Sequence, residues 1–191
     1  MAKRQVGLKD ISFAELLTDV VETATTYEAV KKYERSIMAK ITPKASSENL
    51  YSDDNMEDIV TSFDSIDVEI ELNALSLETR AFLQGAKIVK GILIENKEDV
   101  APYVAMIFKS KKVGGKFRYV CLFKGKFELV ADNYETQAAK IKTQTASIKA
   151  TFMARDFDGN YRLIADEDTT DIVLADLEGW FTEVPSIPTA V

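Results

Sequence analysis

The sequence predicts a mainly β, α+β domain: an antiparallel sandwich or barrel with one short flanking helix and a short C-terminal helix. Three observations predict it. Ile66, Val68, Ile70 and Leu72 alternate with Ser65, Asp67, Glu69 and Glu71, the period-two pattern of a half-buried strand. Residues 102–127, PYVAMIFKSKKVGGKFRYVCLFKGKF, form one long hairpin by pattern, turning at Gly114-Gly115. Phe117, Tyr119, Cys121 and Phe123 take one face of it and Val120 and Leu122 the other, so both faces need cover. A second hairpin is expected to pair about 147–155 with 161–165 across Asp158-Gly159, a dipeptide suited to a tight turn.

The remaining elements follow in chain order. Ile37, Ala39 and Ile41 alternate with Ser36, Met38 and Lys40, a strand expected to end at Pro43. From Pro43 to about Ser62 the text turns polar and acidic, with Leu50, Tyr51, Met56, Ile59 and Val60 as its anchors. This is long for a connection inside a compact domain and reads as an extended arm with some strand character. Ser76 is placed to cap a helix that Gly85 would stop, with Leu75, Thr79, Phe82 and Leu83 at helical spacing. Ile88 to Ile94 reads as a strand interrupted by Gly91, and a polar stretch runs from the long hairpin to about Thr145. Thr170 and Asp171 are expected to open a last helix with Val173, Leu177, Trp180 and Phe181 on one face, ended by Pro185 and Pro188.

The chain has 191 residues, within the roughly 100–200 typical of one domain, and a single domain over 1–191 is expected, with a C-terminal tail from about 183 to 191. Its 46% hydrophobic and 29% charged residues are those of an ordinary folded protein. A net charge of −7 argues against a surface devoted to nucleic acid, because phosphate needs a positive footprint. The single cysteine and the lack of a signal-like or spanning apolar segment predict synthesis in a reducing cytoplasm and no membrane role. The sequence contains no histidine, which removes His-based triads, His–metal sites and the commonest general base at neutral pH.

Each candidate site has a plainer explanation beside it. Asp67, Glu69 and Glu71 stand roughly 6.8 Å apart along one strand face, near the separation of an inverting glycosidase pair, yet a solvated face explains them equally well. Asp156, Asp158, Asn160 and Glu167 fit four positions of a calcium loop, but Tyr161 stands where that loop needs glycine, so a hairpin turn is expected. Gly114-Gly115-Lys116 lacks the upstream glycine of a phosphate loop and lies between strands. Cys121 reads as a buried inert thiol. Lys109, Lys111, Lys112, Lys116, Arg118, Lys124 and Lys126 are interleaved with Phe108, Phe117, Tyr119 and Phe123. That set could stack single-stranded bases, or cap strand ends and meet acidic loops of neighbouring subunits. No catalytic set, metal site or cofactor is predicted, and the residues by themselves lead to a self-assembling part.

The order of motifs resembles one family. GLKDISFAELLTD, SENLYSDD, SIDVEIELNALSLETRAFLQG, APYVAMIFKSKKVGGKFRYVCLFKGKF, TFMARDFDGNYRLIADED and EGWFTEVP are similar to segments of the major tail protein family of long-tailed, non-contractile bacteriophages. The hairpin ending Lys124-Gly125-Lys126-Phe127 and the Leu-Tyr-x-Asp-Asp arm carry the resemblance most, while Cys121 stands where a larger aromatic is expected. The resemblance implies a non-enzymatic virion protein, assembled in the host cytoplasm, whose homo-hexameric rings stack into a hollow tail tube. Each subunit would add strands to a continuous inner barrel through which phage DNA passes without specific binding. Tape-measure protein, tail terminator and distal tail or baseplate proteins would be its partners, and no additional immunoglobulin-like domain is expected.

Combined with the residues, the resemblance yields three expectations. Asp67, Glu69 and Glu71 line the lumen as a negative wall. Leu50, Tyr51, Asp53, Asp54, Met56 and Ile59 form an inter-ring loop within about 43–62. Phe117, Tyr119, Lys124 and Phe127 take part in lateral subunit packing. A tube protein of a related injection machine (type VI secretion or a phage-derived bacteriocin tail) and a single-stranded nucleic-acid binding β module are the alternatives.

Overall fold

A computed structural model describes residues 3–21, 24–52, 55–132, 134, 136, 145–170 and 172–188, with Tyr51 and Ser52 in backbone only. The elements are β1 (Gln5–Val20), β2 (Ala24–Tyr27), β3 (Lys31–Lys32), β4 (Ser36–Ser52), β5 (Asn55–Leu72), α1 (Leu77–Gln84), β6 (Lys87–Val89) and β7 (Ile92–Ile94). They continue with β8 (Val104–Lys112), β9 (Phe117–Phe127), β10 (Ala146–Met153), β11 (Arg162–Asp166) and α2 (Leu174–Gly179). The main sheet runs β2-β1-β8-β9-β10-β5-β4, with β3 on β1 and β11 on β9, and its pairings are antiparallel. β1 and β4, far apart in this order, come back into contact, so the sheet curls over its own core as a sandwich.

The alternation at 65–72 behaves as expected: Ile66, Val68, Ile70 and Leu72 are all buried in the main core and the intervening residues are not. They meet Ile11 and Phe13 of β1, Met106 and Phe108 of β8, Val120, Leu122 and Phe127 of β9, and Ile148 and Phe152 of β10. The helix also forms as its caps dictate. The Ser76 side chain accepts a hydrogen bond from the Thr79 N–H at 3.2 Å, and Gly85 ends α1 at φ 70°. A Cβ on Gly85 would lie 2.2 Å from the Val100 carbonyl oxygen, so the position needs glycine for space as well as for conformation. Leu83 is fully buried beneath the helix, closing one end of the core.

Both faces of the β8–β9 hairpin are covered, and by this chain itself. Val104, Met106, Phe108, Val120 and Leu122 face the main core. Ile107, Cys121 and Phe123 face the opposite way, under Val30, Leu163, Trp180, Phe181, Val184 and Ile187. The second cover is mostly the C-terminal segment, which packs Trp180 and Phe181 against the Tyr119 ring at centroid distances of 6.2 and 6.0 Å.

Five expectations are corrected. The strand at 37–41 does not stop at Pro43 but continues as β4 to Ser52; among the described residues β4 pairs only with β5, and an edge strand tolerates a residue that cannot donate to a ladder. Ile37 is exposed, unlike Ala39 and Ile41, because the pairing shifts register between Ser36 and Met38. Residues 88–94 form a small separate hairpin, β6–β7, instead of one interrupted strand. β10 and β11 do not pair with each other: β10 takes Lys124–Phe127 of β9 while β11 takes Arg118–Leu122 of the same strand, and the Asp158-Gly159 turn carries the chain between them. The last helix starts at Leu174 with Val173 as an N-cap lacking a side-chain hydrogen bond, and it ends at Gly179, before either proline; Asp171 lies outside the described residues.

β1, β2 and β3 escaped sequence pattern altogether. Ile11, Ser12, Phe13 and Ala14 of β1 are four consecutive buried residues, so no alternation betrays them. Gly125 explains a close approach in the same layer: a Cβ there would come within 2.5 Å of the Phe152 ring, across the β9–β10 register that pairs these two residues.

Candidate functional site

The region expected as an inter-ring loop is the outer half of a very long two-stranded ribbon. β4 and β5 stay paired from Ser36↔Leu72 out to Ser52↔Asn55. Its stem carries hydroxyl pairs in place of apolar ones: Ser46 with Ser62 and Ser47 with Thr61, both at 3.1 Å, and Ser46 donates to Asp64 at 2.8 Å. Such pairs hold register without burial. Beyond them Leu50, Met56, Ile59 and Val60 stand exposed at the tip. Cross-strand register puts Glu48, Leu50, Asp58 and Val60 on one face through the pairs Glu48↔Val60 and Leu50↔Asp58. Asp53 and Asp54, and the Tyr51 side chain, lie outside the described residues.

The expected acidic wall is brought together with an equal set of cations. Asp67, Glu69 and Glu71 do share the outward face of β5, but Lys44 pairs with Asp67 at 2.6 Å, and Glu69 lies opposite Lys40 of β4 and Lys149 of β10. Glu71 accepts a hydrogen bond from the Thr145 hydroxyl at 2.7 Å. Sequence alternation located the carboxylates; only strand pairing reveals the lysines beside them. The face is therefore mixed in charge and not a negative stripe.

Five of the seven cations named on the basic hairpin are also neutralised from within. Lys109 meets Asp10 at 2.9 Å, Lys112 meets Asp166 and Asp168, Lys116 meets Glu167 at 2.9 Å, and Arg118 donates to both oxygens of Asp166 at 2.6 and 2.7 Å. The Arg118 guanidinium, helped by Lys112 against a smaller opposing effect of burial, lowers the Asp166 carboxyl to about 2. Lys124, nearly buried, bridges Asp19 and Asp156 at 2.7 Å each. Burial resists ionisation of Asp19, but hydrogen bonds from Lys124 and from the Asp156 and Phe157 N–H groups outweigh it and hold that carboxyl below its ordinary value. Tyr119, Phe123 and Phe108 are buried, so these aromatics offer no stacking platform for bases.

The four residues expected at a lateral contact are occupied by their own chain. Tyr119 and Phe127 are buried, the latter edge-on to Phe13 at 5.2 Å; Lys124 is in the ion pairs above; Phe117 lies under the ammonium groups of Lys109 and Lys9. The C-terminal segment covers Tyr119, Glu167 accepts from the Phe117 N–H, the sandwich core takes Phe127, and Asp19 and Asp156 hold Lys124, none of which hairpin periodicity could reveal. The carboxylates of the calcium-like pattern are likewise taken by cations, Asp156 by Lys124, Asp158 by Arg155 and Glu167 by Lys116. Among the described residues no group of three or more His, Cys, Asp or Glu is placed to hold a metal ion. Cys121 is fully buried, and burial pushes its thiol far up, away from the reactive thiolate.

What remains open on this molecule is strand edge and ribbon tip. The β4 edge has no partner among the described residues, and the ribbon tip and the β6–β7 hairpin expose apolar side chains. A family model, phage tail tube protein, matches residues 21–182. The chain belongs to that family. No curated protein matches it. A tail tube subunit is a structural component of the phage tail that assembles into a tube with other tail proteins. No helix among the described residues is long and apolar enough to cross a membrane.

Proposed function

We propose that this tail tube subunit closes into hexameric rings that stack into the hollow tube through which phage DNA is delivered. The observation that carries the reading is the free edge of β4, a 17-residue strand in a protein of this family. Exposed edges that long invite pairing with another chain, and a closed ring of copies removes them all. In such a ring β4, β5 and β10 contribute to the inner barrel, and the face bearing Asp67, Glu69, Glu71, Lys40, Lys44 and Lys149 looks into the lumen. Its carboxylates repel phosphate while its lysines keep the repulsion small, a surface along which DNA slides without being held. The β4–β5 ribbon reaches beyond its own ring to the next, with Leu50, Met56 and Ile59 as anchors. Tape-measure protein, terminator and distal tail proteins occupy the lumen and ends.

Negative-stain microscopy of the concentrated protein tests this: rings or hollow tubes are expected. Compact lone particles under every condition, including in the presence of the other tail proteins, would remove it. Replacing residues 47–61 with Asn-Gly, which joins Ser46 to Ser62 by a tight turn, is expected to leave a folded subunit that no longer polymerises. Normal tubes from that variant would remove the ribbon from the mechanism.

A further inference from the structure

The β6–β7 hairpin stands apart from the main sheet. It is two-stranded and, among the described residues, pairs with no other sheet. Such a hairpin is marginal in water unless something packs on it. The pair Ile88↔Leu93 puts these two side chains on one face, where Ile88 is also exposed. The pairs Lys87↔Ile94 and Val89↔Ile92 put Lys87, Val89, Ile92 and Ile94 on the other face. There Val89, Ile92 and Ile94 are 50%, 65% and 49% exposed, three neighbouring aliphatic side chains beside a lysine, with Lys90 at the turn. Arg80 of α1 pairs with Glu95 at 3.0 Å just after β7, which ties the hairpin to the helix end of the molecule.

The ribbon tip presents the complementary set. Leu50 and Val60 are 45% and 50% exposed on the face they share with Glu48 and Asp58. Two aliphatic and two acidic side chains on one ribbon thus match three aliphatic and basic side chains on another. Neither Glu48, Glu57 nor Asp58 has a cationic partner, and neither Lys87 nor Lys90 an anionic one, among the described residues.

Position decides how the two can meet. The tip lies at the N-terminal end of β5, and the C-terminal end of β5 feeds α1 and the β6–β7 hairpin. At roughly 3.3 Å per residue the 18 residues of β5 separate those ends by about 55–60 Å. The two patches cannot satisfy each other within one chain, but they can between copies arranged head to tail, the arrangement that yields an open stack. We infer that the Glu48/Leu50/Asp58/Val60 face of one subunit's ribbon docks on the Lys87/Val89/Ile92/Ile94 face of the β6–β7 hairpin of a second copy in the stack.

This rests on the tube reading above, and the test separates the two. A Leu50→Cys chain and an Ile92→Cys chain, mixed under assembly and oxidising conditions, are expected to give a heterotypic disulfide dimer that neither chain gives alone; Cys121, fully buried, does not compete. Lys87→Glu with Lys90→Glu is expected to raise the concentration needed for tube formation at least tenfold with an unchanged Tm. Adding Glu48→Lys and Asp58→Lys is expected to restore most of it. Tubes that form normally from the chain carrying only Lys87→Glu and Lys90→Glu, without the crosslink, overturn this docking and leave the tube reading intact. A crosslink that the Ile92→Cys chain forms only with a different tail protein overturns it too. A wild-type chain that forms no tubes overturns both.

Discussion

The β4–β5 and β8–β9 hairpins are the same kind of element with opposite fates. β8–β9 is apolar on both faces and buries both within one chain, using the sandwich core on one side and the C-terminal segment on the other. The outer half of β4–β5 has hydroxyl pairs along its stem and exposed Leu50, Met56, Ile59 and Val60 at its tip, and nothing among the described residues covers it. The first makes the subunit stable; the second leaves it unfinished. On the proposed reading, stability and assembly belong to different hairpins, and mutations can separate them.

The sharpest break is Phe123→Ala. Phe123 is fully buried on the second face of β9, and its truncation is expected to cost about 3–5 kcal/mol in urea unfolding. A loss below about 1 kcal/mol would mean that the C-terminal cover contributes little. Asp19→Ala is expected to cost about 3 kcal/mol, because it leaves Lys124 nearly buried with only the exposed Asp156 as partner. Little change in the denaturation midpoint would contradict that view of the pair.

Acid should loosen the β8–β9 side through Asp166. The carboxyl of Asp166 titrates at about 2 when folded and near its ordinary 3.8 when unfolded, so its contribution is complete above about pH 4 and is lost as pH falls through 2. The expected fall in Tm across that window is smaller in Asp166→Asn than in the wild type; parallel curves would exclude this carboxyl as a source. Ser76→Ala removes the cap of α1 and is expected to cost about 1 kcal/mol, measured by the same unfolding. The smallest effect on stability belongs to the ribbon tip. Leu50→Ser and Ile59→Ser are expected to change it by less than about 0.5 kcal/mol while abolishing polymerisation seen by light scattering. A large loss of stability would mean that the tip belongs to the subunit's own core.

Periodicity reached those elements whose two faces differ in solvent exposure. β5 and α1 were legible because a buried stripe alternates with a wet one, and because Ser76 and Gly85 sit where orphaned helix ends need them. β1 was not, since Ile11 to Ala14 are buried on both faces. The register beyond Pro43 was hidden by a residue that usually ends strands, and here the free edge of β4 removes the objection. For the site, the exposed apolar residues of the ribbon and the acidic strand could be named from sequence, but their neighbours could not. Lys40, Lys44 and Lys149 stand beside Asp67 and Glu69 through pairings between strands distant in the chain.

The linear text by itself determined which residues turn, cap and alternate, and the family whose motifs it carries, because these depend on contacts a few residues apart and on residue order. Tertiary structure alone decided what covers each face. Trp180 and Phe181 over Tyr119, Asp166 against Arg118, and an uncovered ribbon tip set beyond the sandwich all depend on where separate strands come to lie. Burial is a property of the assembled sheet, and local spacing contains no record of which distant segment will supply it.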